Sequence, residues 1–233
     1  NVTGNNASYN TWNGIYLNGS SFNNVTLNNA SYNGYSGINL SSSSNWNLVT
    51  NNTATNNTQN GIVLSGSSNN TLFNNTAIWN GQNGISLVST SNGNNITGNN
   101  VTSNTWNGIA LSSSSYNNIT LNNAGYNGYS GINLSTSSNW NQIRNNTATN
   151  NTQNGMVLSG STNNTLFNNT AVFNKQNGIA LNLSSNGNNV TGNNVTSNSW
   201  NGISLNGSSY NNVTQNNASY NGYSGINLSS ISN

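Results

Sequence analysis

The motif Gly-Ile-x-Leu returns along the whole chain, with glycine at 14, 37, 61, 84, 108, 131, 155, 178, 202 and 225 and Met156 standing once for the isoleucine. The steps alternate between 23 and 24 residues, and four of them make a unit of 94 at which the sequence nearly copies itself. Asn-Gly-Tyr-Ser-Gly-Ile-Asn-Leu, for example, begins at 33, 127 and 221. A fixed period of this length marks a solenoid, each repeat one unit stacked on the next. The step is too short for a pair of helices and too rich in Gly, Asn and Ser to favour them. Residues 1–233 therefore read as a single array, a segment of a longer chain or filament.

Within each step other columns are equally regular. An apolar residue recurs at Val2, Val25, Val49, Leu72, Ile96 and onward, and a small one five places later at Ala7, Ala30, Ala54, Ala77 and Val101. The Ile and Leu of the motif are two apart, the spacing that puts both on one face of a strand. Three short apolar stretches per step, separated by turn residues, predict an all-β, right-handed parallel β-helix with three short strands per coil and about ten coils. The extra residue of the longer coils falls between the motif Leu and a following Ser column, so that turn is expected to absorb it.

Three columns are asparagine in every complete coil. Their first members are Asn23, Asn47, Asn70 and Asn94; Asn28, Asn52, Asn75 and Asn99; and Asn33, Asn57, Asn80 and Asn104. Asparagine tolerates the left-handed backbone of a sharp corner. Stacked at the strand spacing of ~4.8 Å, identical amides can also bond to one another along the axis. The apolar core per coil is thin against the entropy of ordering it, so these ladders are expected to share the task of holding the coils together.

Segments such as Asn60-Gly61-Ile62-Val63-Leu64-Ser65-Gly66-Ser67-Ser68-Asn69-Asn70-Thr71-Leu72 resemble the NosD-like, pectin-lyase-like repeats of right-handed parallel β-helix proteins on archaeal and bacterial cell surfaces. The resemblance covers essentially the whole chain. It implies the fold; for function it implies a choice among pectinolytic enzymes, copper-delivery proteins and passive stalks.

Composition narrows that choice. The chain has no Asp, Glu, His, Cys or Pro, and its charged side chains are Arg144 and Lys175. Without carboxylate or imidazole there is no ordinary general acid or base, and a Ser nucleophile has no partner. Copper would want His, Cys or Met, and Met156 sits in an Ile column. The expectation is therefore no catalysis, no cofactor and no metal. Two isolated cations are too few for nucleic acid, and no run is long and apolar enough for a membrane span.

Two surface features remain. Asn-x-Ser/Thr sequons are dense, among them Asn6, Asn24, Asn29, Asn95, Asn100, Asn118, Asn189, Asn194, Asn206, Asn212 and Asn217. They suggest covalent glycans and an extracellular or cell-surface location, where glycans would keep an uncharged β-rich rod soluble. Aromatic residues also recur in two coils out of four: Trp12, Tyr35, Trp106, Tyr129, Trp200 and Tyr223 in one column, with Trp46 and Trp140 in another. They read either as a contact patch for sugars or for a neighbouring rod, or as rings that stack on one another and shield the turn backbone. The sequence thus points first to a non-catalytic structural element that self-associates into a filament, sheath or stalk. The alternative is a carbohydrate-binding or adhesive module using the aromatic patches.

Overall fold

The computed structural model describes residues 1–230 and Ser232. It is a parallel β-solenoid of about ten coils, with no helix among the described residues. The strands form two ten-stranded parallel sheets. The first runs from Val2–Thr3 and Asn24–Thr26 to Asn212–Thr214, the second from Ile15–Asn18 and Ile38–Ser41 to Ile226–Ser229. The third strand expected per coil is shorter than the sequence suggests: it is reduced to one residue, in a column of isolated bridges running Asn6, Asn29, Thr53, Thr76, Asn100 and on to Asn217.

Register follows the sequence columns. Ile15 faces Ile38, Leu17 faces Leu40 and Val25 faces Val49, so like residues stack on like from coil to coil. The second sheet sends its Ile and Leu inward, the first its Val, Ile or Leu, and the bridge column its neighbouring Ala or Val. Met156 lies in the core between Ile132 and Ile179. The motif glycine is hemmed in from several sides: a Cβ on Gly131 would lie 2.7 Å from the carbonyl oxygens of Ala124 and Gly155 and from the Ala148 Cβ.

All three asparagine columns form continuous buried ladders. Asn75 is typical: its Nδ2 donates to Asn99 Oδ1 at 3.0 Å and to the Val49 carbonyl at 2.8 Å. Its Oδ1 accepts from the backbone N–H and the Nδ2 of Asn52, both at 3.0 Å. Each amide inside the ladders therefore satisfies itself and one backbone N–H of the preceding coil, as burial requires; at the last rung of the first ladder the Asn211 Nδ2 has no partner among the described residues. The Ser column does the same with hydroxyls, Ser44 N–H donating to Ser67 Oγ at 3.2 Å.

The corner geometry corrects one expectation. The ladder asparagines do not hold the left-handed conformation; the residue before each of them does, as at Phe22, Leu27 and Tyr32 before Asn23, Asn28 and Asn33. The physical reason is direction. The left-handed residue turns the chain and points outward, and the residue after it is delivered into the interior, where only a side chain that both donates and accepts can close a ladder. The expected insertion point is correct. Longer coils place two left-handed residues in the turn after the motif Leu, such as Ser42 and Ser43, where shorter coils place one, such as Gly19 or Gly66.

Candidate functional site

A cleft of about 390 Å³ lies over the second sheet near its C-terminal strands. Outward-facing residues of three successive strands line it: Asn182, then Ser204 and Asn206, then Asn227 and Ser229. The corner preceding these strands adds Asn154, Gln176, Asn177, Trp200 and Asn201. These side chains lie outward because alternate residues of a strand point to opposite faces, and the Ile and Leu between them fill the core. Short side chains at these positions leave room above the sheet, while Trp200, 41% exposed, stands at the corner.

The corner is rigid because it is itself a ladder, a fourth one that the reading of the sequence missed. Asn201 Nδ2 donates to Asn177 Oδ1 at 2.9 Å, and Asn177 Nδ2 to Asn154 Oδ1 at 3.0 Å. Asn154 Nδ2 donates in turn to Gln176 Oε1 at 3.3 Å. The signal was available, since Asn precedes the motif Gly at 60, 83, 107, 154, 177 and 201. Between asparagines this ladder donates toward the earlier coil, and Asn154 at its end turns back to Gln176 in the later one, whereas the three interior ladders donate toward the later coil.

The expected contact patch divides in two. Trp12 with Tyr35, Trp106 with Tyr129 and Trp200 with Tyr223 form ring pairs with centroids 4.7, 6.3 and 6.5 Å apart, all on the cleft-side corner. Trp46 and Trp140 stand at a different corner, before the first asparagine ladder. Of the sequon asparagines, Asn24, Asn95, Asn118, Asn189 and Asn212 face outward on the first sheet, and Asn6, Asn29, Asn100, Asn194 and Asn217 lie in the bridge column. Asn206 lines the cleft. None of these asparagines is buried. Arg144 and Lys175 are exposed, and the Arg144 Nε donates to Gln142 Oε1 at 3.0 Å.

Backbone and columns define a parallel β-helix of the pectin-lyase-like kind. The chain belongs to the family described as periplasmic copper-binding protein (NosD), whose profile matches residues 1–154 and again 121–233. No curated protein matches the sequence. Among solved structures it is similar to the mannuronan C-5 epimerase AlgE6 A-module of Azotobacter vinelandii, at 16% identity and a TM-score of 0.73 over 89% of this chain and 64% of that one. A double mutant of the periplasmic alginate epimerase AlgG aligns at 16% identity and a TM-score of 0.73, over 91% of this chain and 64% of that one. The catalytic domain of a GH87 α-1,3-glucanase in complex with nigerose aligns at 15% identity and a TM-score of 0.53, over 92% and 53%. The chain thus spans 64% of the length of the first two.

These findings correct two expectations. A non-catalytic filament or stalk does not stand, because the three solved structures just named are of enzymes and the family is described by copper binding; neither points to a structural filament. The expectation that the chain is no enzyme falls with it, since the same backbone carries epimerases and a glucanase. The absence of the usual acids and bases does not decide the matter, because a backbone of this kind also occurs in enzymes. The family's copper is another matter. The chain has no His or Cys, its one Met is core residue Met156, and no cluster of His, Cys, Asp or Glu occurs among the described residues. The residues present do not fit a copper site.

Proposed function

We propose that this chain is a polysaccharide-recognising β-helix, and that a glycan lies in the cleft over the second sheet. The observation that carries the proposal is the cleft's lining: one indole among amides and hydroxyls. An indole offers an apolar face to the C–H side of a sugar ring, and amides offer donors and acceptors to its hydroxyls. Because the amides of Asn154, Asn177 and Asn201 are fixed by their own ladder, little ordering is left to oppose binding. No charged side chain lines the cleft, so a neutral glycan is favoured over a polyuronate.

The test is calorimetric titration of soluble neutral glucans and of alginate, with Trp200→Ala beside the parent chain. Trp200→Ala is expected to weaken glucan binding about tenfold, as loss of one ring contact of ~1.4 kcal/mol would. Equal binding by parent and variant, or a preference for alginate, would overturn the reading. Chromatography of the same mixtures reports whether bound glycan is also altered.

The family description supports a location outside the cytoplasm, and no helix among the described residues is long and apolar enough to cross a membrane. Within that frame we infer that the outward sequons carry glycans. In several of them the hydroxyl already bonds to the asparagine: Thr97 to Asn95 at 2.8 Å, Thr120 to Asn118 at 2.9 Å and Ser31 to Asn29 at 2.6 Å. Intact mass of the native protein should exceed the sequence mass of 24.5 kDa by several glycans; an unmodified mass would sink this part.

A further inference from the structure

The corner before the first asparagine ladder holds an arrangement that the cleft does not explain. Its left-handed position is occupied, coil by coil, by Phe22, Trp46, Asn69, Gly93, Tyr116, Trp140, Asn163, Gly187 and Tyr210, with φ between 57° and 66° throughout. Asn and Gly are the residues this conformation favours, and a bulky side chain there is a true outlier. Burial does not compensate the aromatic residues, since Phe22 is 80% exposed, Trp46 57%, Tyr116 65%, Trp140 51% and Tyr210 79%. The corners before the other two ladders hold the same conformation at Leu27, Tyr32, Trp79 and Tyr126, so the repeat itself imposes the strain; what marks this corner is that it leaves an aromatic pair exposed in adjacent coils, twice over.

We propose that this corner is a second glycan-contact surface, separate from the cleft, whose rings lie flat against pyranose faces of an ordered, insoluble neutral polysaccharide. The inference shares with the cleft reading only its class of ligand. Phe22 with Trp46 and Tyr116 with Trp140 occupy adjacent coils, roughly 4.8 Å apart along the axis. The pairs then recur every four coils, with Asn69 and Asn163 in the gaps. Rings at a fixed spacing match a periodic surface, and the intervening amides match its hydroxyls. A protein partner would be met by Arg and Met beside the aromatics, and this column contains neither.

The column also supplies the variant that tests it. Asn69 and Asn163 already hold this corner with φ of 57°, so the double variant Trp46→Asn, Trp140→Asn is expected to fold with an unchanged or raised melting temperature. Co-sedimentation with microcrystalline cellulose and with chitin particles is the readout. The parent is expected to sediment with at least one of them, and the double variant at least fivefold less, with soluble-glucan binding through Trp200 intact. An unchanged bound fraction, or a parent that sediments with neither particle, overturns the inference. So does loss of sedimentation together with a lower melting temperature, which would make the rings structural. A parent dimer that becomes monomeric in the variant would assign the surface to a second copy and also overturn it. Loss of soluble-glucan binding in Trp200→Ala has no bearing on this corner, so the two readings fail separately.

Discussion

Asn99→Asp is expected to melt near the parent's temperature at about pH 3 and to be destabilised by about 3 kcal/mol at about pH 7. Asn99 is 1% exposed. Its Oδ1 accepts from the N–H and the Nδ2 of Asn75, and its Nδ2 donates to Asn122 Oδ1 and to the carbonyls of Leu72 and Thr97. A protonated aspartic acid keeps the acceptor and one donor. An ionised one keeps no donor and turns a charge toward Asn122 Oδ1 and two carbonyl oxygens. Burial among acceptors raises the carboxyl's folded pKa above its unfolded value of about 3.9. The stability of the variant is then fully present below that unfolded value. It falls as pH rises, until the raised folded value is passed and the penalty is complete. A shift of about two units corresponds to roughly 2.7 kcal/mol. The background is clean because the parent has no Asp, Glu or His side chain. Thermal unfolding at both pH values checks it; an equal deficit at both would mean that lost hydrogen bonds dominate and the charge does not matter.

Gly131→Ala is expected to cost more than about 3 kcal/mol, while Gly81→Ala costs less than about 1. Local distances alone would give the opposite order. A Cβ on Gly81 would meet the Thr58 carbonyl oxygen at 2.2 Å, closer than anything around Gly131. The chain itself settles the question, for Lys175 stands 94 residues beyond Gly81 and bonds in the same way. Lys175 N–H donates to the Asn151 carbonyl at 3.0 Å and Gly81 N–H to that of Asn57 at 2.9 Å. The backbone at that corner therefore yields to a side chain. At Gly131 the obstacles come from several sides: the Ala124 and Gly155 oxygens and the Ala148 Cβ, all at 2.7 Å. Nothing there is the free end of a flexible side chain, and all ten coils keep glycine at this position. The smaller entropy of the unfolded Ala chain offsets less than about 1 kcal/mol. Melting curves of the two variants, read side by side, decide between local distance and the precedent within the repeat.

Much of the solenoid was legible because its columns are written in residue identity. The Gly-Ile-x-Leu strand, the three asparagine ladders and the turn that takes the extra residue all repeat without regard to what surrounds them. The left-handed positions were not legible, because Trp46, Leu27 and Tyr32 are residues that local preference would place elsewhere. The stacked coils hold them there by fixing the backbone on both sides, as in the bonds of the Trp46 N–H to the Ser68 carbonyl and of the Asn47 Nδ2 to Asn70. The cleft was illegible for a different reason: Asn154 and Ser229 are 75 residues apart in the chain and become neighbours only when coils stack.

The likeness of every coil to the next also bears on how such a chain finds its structure. Because Asn meets Asn and Ile meets Ile at each level, a segment displaced by one coil still finds an amide for each amide. A displacement of two coils, 47 residues, also restores the alternation of short and long turns. Such misaligned forms lie close in energy to the native one, the condition under which a folding landscape becomes rugged. Two nuclei formed independently would therefore meet out of frame as readily as in it. The frame is kept when one coil forms first and each later coil is added to its edge, which makes the order of assembly, more than the depth of any single contact, the guardian of the correct structure.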